Sequence, residues 1–184
     1  MRLIAALFLG LVGALVVASG VASADPPNDF ATGAGKIERT LGPPTSPTQI
    51  EEKFAFSAHD EDAIGGATSP ARNGHFVYER TFTSPTGSST TLEVKGSISC
   101  VWVEGNQASF NGLVEKSNDT TLEGVFARFR VVDNDQPPVN GAAPDQLAQV
   151  GFTRNPSCLF PSSVPPSANI ISGNILVNDA QQMA

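Results

Sequence analysis

Apolar side chains in this sequence recur at every second position over long stretches, a period that a half-buried strand satisfies and a helix does not. Phe54, Phe56 and Ala58 share one face, and Phe76, Tyr78 and Phe82 share another. Leu92, Val94 and Ile98 continue the pattern, followed by Val125, Ala127, Phe129 and Val131. Turn clusters separate these runs: Gly65-Gly66, Asn73-Gly74, Ser84-Pro85-Thr86-Gly87, Gly105-Asn106 and Asn140-Gly141. Each supplies residues that tolerate or pre-set the backbone of a reversal. Two later strands, from Asp145 to Thr153 and from Asn169 to Asn178, complete the set. The predicted fold is all-β, a single antiparallel sandwich or barrel of about seven to eight strands. Patterning does not separate those two architectures.

The clearest hairpin turns at Gly105-Asn106, with glycine first as a type II′ turn prefers. A two-residue loop there opposes Val101 to Phe110 and Val103 to Ala108. Upstream, Leu92, Val94 and Ile98 have the opposite parity. A bulge or a change of buried face near Cys100 is required to reconcile them.

The N-terminus carries an export signal. Arg2 precedes an apolar run from Leu3 to Val17, and Ala22-Ser23-Ala24 has the small-x-small pattern that signal peptidase requires. Cleavage is expected before Asp25, making residues 1–24 a signal peptide. The alternative is an uncleaved anchor, because the apolar stretch extended through Val21 reaches about 18 residues; the glycines, Ser19 and the cleavage site favour removal. No cysteine follows the run to accept a lipid, and no second long apolar stretch exists, so the mature chain is expected to be secreted or held in the cell envelope without membrane insertion.

From Asp25 to Ala184 the chain has a comfortable length for one domain and a cramped one for two. Residues 25–50 read as a leader rich in Pro, Gly and Thr, in which Gly42-Pro43-Pro44 and Ser46-Pro47 prevent a long regular element. One short strand is expected there, around Lys36 to Arg39. The all-β domain is assigned to residues 51–184. Export keeps all 18 acidic residues and removes Arg2 from the 11 basic ones. That balance disfavours nucleic acid and anionic membrane surfaces, which call for clustered Lys and Arg. A monomer is expected.

Cys100 and Cys158 are the only cysteines, and an even count in an exported chain predicts one disulfide. Such a bridge restricts the unfolded state by about 4 kcal/mol in the chain-entropy model. Cys158 sits in a proline-rich, irregular stretch from Asn155 to Ser167. A bond to a core strand at Cys100 would pin that stretch in place. No C-x-x-C spacing points to redox or metal chemistry.

Taken in order, Gly96, Ile98, Cys100, Val101, Val103, Gly105-Asn106, Ala108 and Gly112 lead to Val125–Val132 with Asp133-Asn134. Asp145-Gln146, Cys158 before prolines, and Ser172-Gly173-Asn174-Ile175 follow. This order resembles a group of small secreted β-domain proteins, found mainly in actinobacteria and described as post-COAP-like. The resemblance covers most of the mature chain but not residues 25–50. It implies the fold, the exported location and the cysteine pairing, and it implies no activity.

Candidate chemistry is sparse. Asp133-Asn134-Asp135, joined by Asp145, offers the hard oxygen ligands that calcium uses, without the EF-hand spacing; an Asx-rich turn accounts for the same residues. His59-Asp60-Glu61-Asp62 with His75 is a poor zinc signature, better explained as a solvated loop. No G-x-S-x-G motif accompanies a serine nucleophile. Glu79, Glu93, Glu104 and Glu115 lie on or near strands, where two of them could face each other across a groove as a glycosidase pair, although spaced acids on strands more often face solvent. Trp102 offers a surface for sugar stacking, and Tyr78 is expected in the core. Arg128 and Arg130 alternate with Phe129 and Val131 and are expected to face solvent. Asn118-Asp119-Thr120 fits a glycosylation sequon, uninformative given the bacterial origin that the resemblance implies, and Gly33-Ala34-Gly35-Lys36 lacks the full spacing of a phosphate loop.

The expected function is therefore a non-enzymatic structural or binding module that meets an extracellular or cell-wall ligand, with no cofactor and no metal. The alternatives are a small extracellular hydrolase using a strand carboxylate pair, and a barrel carrying a ligand in an interior lined by Phe54, Phe76 and Phe129.

Overall fold

A computed structural model describes residues 29–59, 73–134, 143–148, 150–155, 157–158 and 168–179. The expected signal peptide, the Gly65-Gly66 and Asn140-Gly141 turns, Asp60 to Asp62 and Asp135 lie outside the described residues. The strands are β1 (Phe30–Leu41), β2 (Thr48–His59), β3 (Asn73–Thr83), β4 (Ser89–Glu104), β5 (Gln107–Ser117), β6 (Phe126–Val132), β7 (Gln146–Leu147), β8 (Gly151–Thr153), β9 (Ala168–Asn169) and β10 (Ser172–Asn178). A single 3-10 turn, Thr120–Leu122, stands between β5 and β6. Among the described residues no helix is long and apolar enough to cross a membrane.

All ten strands belong to one antiparallel sheet, curled around its core, in the order β10-β1-β2-β3-β4-β5-β6-β7-β9, with β8 beside β6. The count exceeds the expected seven to eight because two expected strands are interrupted. Residues expected from Asp145 to Thr153 divide into β7 and β8, both of which pair with β6. Those expected from Asn169 to Asn178 divide into β9 and β10 at Ile170-Ile171. That division has a consequence for the sheet, since β9 pairs with β7 at one end of the order and β10 pairs with β1 at the other. The Ile170 N–H donates to the Asp145 carbonyl at 2.8 Å and the Ile171 N–H to the Lys36 carbonyl at 2.9 Å. One short segment of chain thus touches both sides.

Residues 30–41 form a full strand of twelve residues, bonded to β2 along its whole length and to β10 along half of it. The expected irregular leader is corrected there. The physical reason is Gly33 and Gly35, which take inward positions between Ala31 and Ile37 and so hide the alternation from any hydropathy pattern. A Cβ on Gly35 would lie 2.9 Å from the Phe54 ring, and one on Gly33 would lie 3.1 Å from the Ile175 side chain. Side chains of the facing strands occupy the space that β1 leaves open.

The inward face of the sheet is aromatic. Phe110 stacks on Phe129 with ring centroids 4.8 Å apart, Phe56 meets Phe110 at 4.6 Å, and Phe76 meets Phe129 at 5.3 Å. Tyr78 approaches Phe129 edge-on at 6.0 Å. Such pairs add to what burial alone contributes. Phe54, Phe76 and Phe129, the expected lining of a carrier's cavity, are in ring contact with other core side chains.

The hairpin at Gly105-Asn106 has the expected register, Val101 opposite Phe110 and Val103 opposite Ala108, and Gly105 takes the positive φ of 61° that its turn demands. The parity conflict is resolved by irregularities between Ile98 and Cys100 and again between Lys95 and Gly96. At the first of these the buried set passes from Ile98 to Val101. Cys100 therefore points to the outer face, where it bonds Cys158 across 58 residues of sequence. Cys158 is 1% exposed, and the Asn111 amide faces both sulfurs at 3.8 Å. A disulfide of this kind is the bond of an oxidising compartment.

Candidate functional site

Strand β1 presents its even-numbered residues outward, β2, β3 and β4 as far as Ile98 their odd-numbered ones, and on this face charges meet across the strands. Lys36 reaches Glu51 at 2.6 Å and Glu38 at 3.0 Å; Lys53 reaches Glu51 at 3.2 Å and Glu79 at 2.9 Å. The hydrogen bonds from Lys36 and then Lys53 hold the Glu51 carboxyl below its ordinary range; Glu51 and then Glu38 raise Lys36, and Glu79 and then Glu51 raise Lys53. Being exposed, such pairs contribute little stability. Their effect is to neutralise this part of the face.

The ladder ends in a groove of about 320 Å³ over β3, β4 and the end of β5. Strand register places its side chains in two rows. Val77, Lys95 and Lys116 stand side by side in one, and Glu79 stands directly opposite Glu93 in the other. Asn118 closes the second row: its Oδ1 accepts from the Glu93 N–H and its Nδ2 donates to the Thr91 carbonyl, both at 2.9 Å. Where β5 leaves the sheet, a side-chain amide takes over the bonding of a strand. Val77, half exposed, supplies an apolar spot between the charges.

Of the four glutamates considered for catalysis, the fold brings together Glu79 and Glu93 and leaves Glu104 and Glu115 exposed elsewhere, at the hairpin end and on β5. Direct cross-strand neighbours have Cβ atoms about 4.5–5.5 Å apart and project side by side from one surface. Catalytic pairs instead flank a bond held between them.

Trp102 is half-buried on the outer face of β4, opposite Ser109. Tyr78 is in the core as expected. Arg128 and Arg130 depart from expectation, since both are half-buried: Arg130 donates to Gln107 Oε1 at 2.6 Å and Arg128 to the Asn155 carbonyl at 3.2 Å. Their guanidinium groups tie neighbouring chain to β6. Asn118 of the sequon is engaged as described, and Asp119 caps the 3-10 turn by accepting from the Thr121 side chain and N–H, which lowers its carboxyl.

The acidic residues considered for calcium have other work. Asp133 Oδ2 accepts the Val177 N–H at 3.0 Å, and Asp145 accepts the N–H groups of Ile175 and Asn134, each at 2.9 Å. These carboxylates serve the free side of β10. His59 bonds Ser57 at 2.8 Å, and among the described residues no group of three His, Cys, Asp or Glu is placed to hold a metal.

One polar cluster went unnoticed in the sequence. Glu52, 1% exposed, accepts from Tyr78 Oη and Arg80 Nε, both at 2.8 Å, and pairs with Arg39 at 3.4 Å. Arg80 also donates to the Val150 carbonyl and Arg39 to the Leu147 carbonyl. Burial, and then the carboxylate beside it, push the Tyr78 hydroxyl well above the ordinary phenol range. Parity was the available signal: Glu52 stands two residues before Phe54, Arg80 two after Tyr78, and Arg39 two after Ile37. The hydrogen bonds and ion pairs of the cluster run between strands and to the Val150 and Leu147 carbonyls, so its role is structural; Arg39 Nε and Glu52 Oε2 make no hydrogen bond.

Fold and surface define an antiparallel all-β domain with one disulfide, Cys100–Cys158, on the outer side of β4 and a charged groove on its sheet. Comparison with known proteins finds no matching family model, no matching curated protein and no matching solved structure, so likeness indicates no enzyme family.

Proposed function

We propose that this chain is an exported cell-envelope or secreted β-domain that works as a non-enzymatic binding module, with the groove over β3 to β5 as its ligand surface. The sequence pattern of residues 1–24 and the Cys100–Cys158 bridge support export. The chain segment shared by β9 and β10 supports a barrel in place of a sandwich. The kinship is with the small actinobacterial β-domain proteins that the sequence resembles.

The observation that carries the binding role is the contrast along the outer face: the charges of β1 to β3 neutralise one another, whereas Glu93, Lys95 and Lys116 form no ion pair among the described residues. Co-sedimentation with insoluble peptidoglycan tests the role. The wild-type chain is expected to bind, and the double variant Val77→Asp, Lys95→Glu to lose binding. Equal sedimentation of both, with loss instead in Trp102→Ala, would move the ligand surface to the Trp102 face and overturn this assignment.

A hydrolase is the second reading, favoured by Glu79 standing opposite Glu93. It requires release of soluble products from the same material, abolished in Glu93→Gln.

A further inference from the structure

Like charges placed directly opposite on neighbouring strands cost a sheet stability. This outer face contains four such pairs: Lys36 with Lys53, Glu38 with Glu51, Glu79 with Glu93, and Lys95 with Lys116. For the first two the cost is offset by ion pairs, Lys36 with Glu51 diagonally across the strands and Lys36 with Glu38 and Lys53 with Glu51 along them. In the groove that compensation stops after Lys53 reaches Glu79. What remains is a cationic row, Lys95 with Lys116, beside an anionic one, Glu79 with Glu93.

We propose that the groove takes a short zwitterionic peptide, its terminal carboxylate on Lys95 and Lys116 and its terminal ammonium on Glu93 and Glu79. This inference rests on the groove being the ligand surface. Length selects the ligand. The rows are two residues apart along the strands, about 7 Å, and an extended peptide spans about 3.3–3.6 Å per residue. A dipeptide therefore brings both terminal charges to their rows at once, a single amino acid falls short, and a longer peptide must bow outward to use both ends. A groove of about 320 Å³ is at the small end of ligand sites, in keeping with such a molecule. Val77, beside Lys95, offers apolar contact to a small side chain. The Asn118 amide is held by β4 backbone and forms a wall.

The test is calorimetric titration at low ionic strength, where surface charge is least screened. The probes are dialanine, dialanine amide, which lacks the carboxylate, and N-acetyldialanine, which lacks the ammonium. Dialanine is expected to bind best, with each blocked form weaker by about two- to fivefold, the range of exposed ion pairs. In the double variant Lys95→Gln, Lys116→Gln, dialanine and its amide should bind alike; in Glu93→Gln, which leaves only the Lys53-paired Glu79 in the anionic row, the advantage of dialanine over N-acetyldialanine should shrink. All three positions are exposed, and circular dichroism confirms that each variant is folded. No binding of dialanine, or equal binding of all three probes to the wild type, overturns the ligand class. If peptidoglycan binding still depends on the groove in that case, the ligand surface stands without its peptide; if neither depends on it, both fall.

Discussion

The Asp145 carboxylate accepts the Ile175 N–H through Oδ2 and the Asn134 N–H through Oδ1, each at 2.9 Å. Asp133 repeats the device two residues further along β10, at Val177. On one side β10 is held to β1 by a backbone ladder, and on the other by side-chain oxygens. Asp145→Ala leaves two N–H groups without their acceptor, and the expected loss is about 1–3 kcal/mol. Urea unfolding measures it. Hydrogen exchange should show faster exchange at Ile175 and Asn134 while the Val177 amide, held by Asp133, and the amides of β2 to β4 keep their protection. An unchanged Ile175 amide would mean that water serves this edge as well as the carboxylate does.

Removal of Glu52 should be costlier. Glu52→Ala leaves Arg80 and Tyr78 without their acceptor inside the sheet and Arg39 without its countercharge. Breaking a buried pair by deleting one partner costs about 3–5 kcal/mol. A midpoint shift in urea smaller than that of Asp145→Ala would show that the arginines find other partners or water.

Tyr78 is the only tyrosine, so absorbance of the phenolate reports on it alone. Burial first, and the Glu52 carboxylate next, raise its pKa in the folded chain above the ordinary value of 10.0. A group raised on folding contributes stability that is fully present below its unfolded pKa and is lost as pH climbs from there through the folded value. In native protein the phenol should stay protonated past pH 10 and ionise only as the chain unfolds, with loss of near-ultraviolet circular dichroism. In urea it should titrate near 10. A reversible native titration near 10 would place the hydroxyl in contact with water.

Legibility from sequence followed the side chains that carry hydropathy. Phe54, Phe76, Phe110 and Phe129 sit in the core because alternation put them on one face, and the conflict of parity around Cys100 marked a real irregularity between Ile98 and Cys100. The β1 strand was hidden because Gly33 and Gly35 have no side chain to register a period. Glu52, Arg39 and Arg80 were hidden for the opposite reason: charged residues on inward positions look like solvent-facing ones until their mutual distances are known. The groove was half legible. Glu79 and Glu93 were both candidates, but their direct opposition depends on the β3–β4 register, and the placement of Lys95 beside Lys116 depends on a β4–β5 register shifted by the irregularity between Lys95 and Gly96. Hydropathy does not encode that shift.

Amide chemical-shift mapping with soluble peptidoglycan fragments tests the binding role most directly. The account predicts shifts concentrated at Val77, Glu79, Glu93, Lys95, Lys116 and Asn118, fading toward β1 and β10. Shifts centred on Trp102 and Ser109, or none at concentrations where the intact polymer is bound, would contradict it.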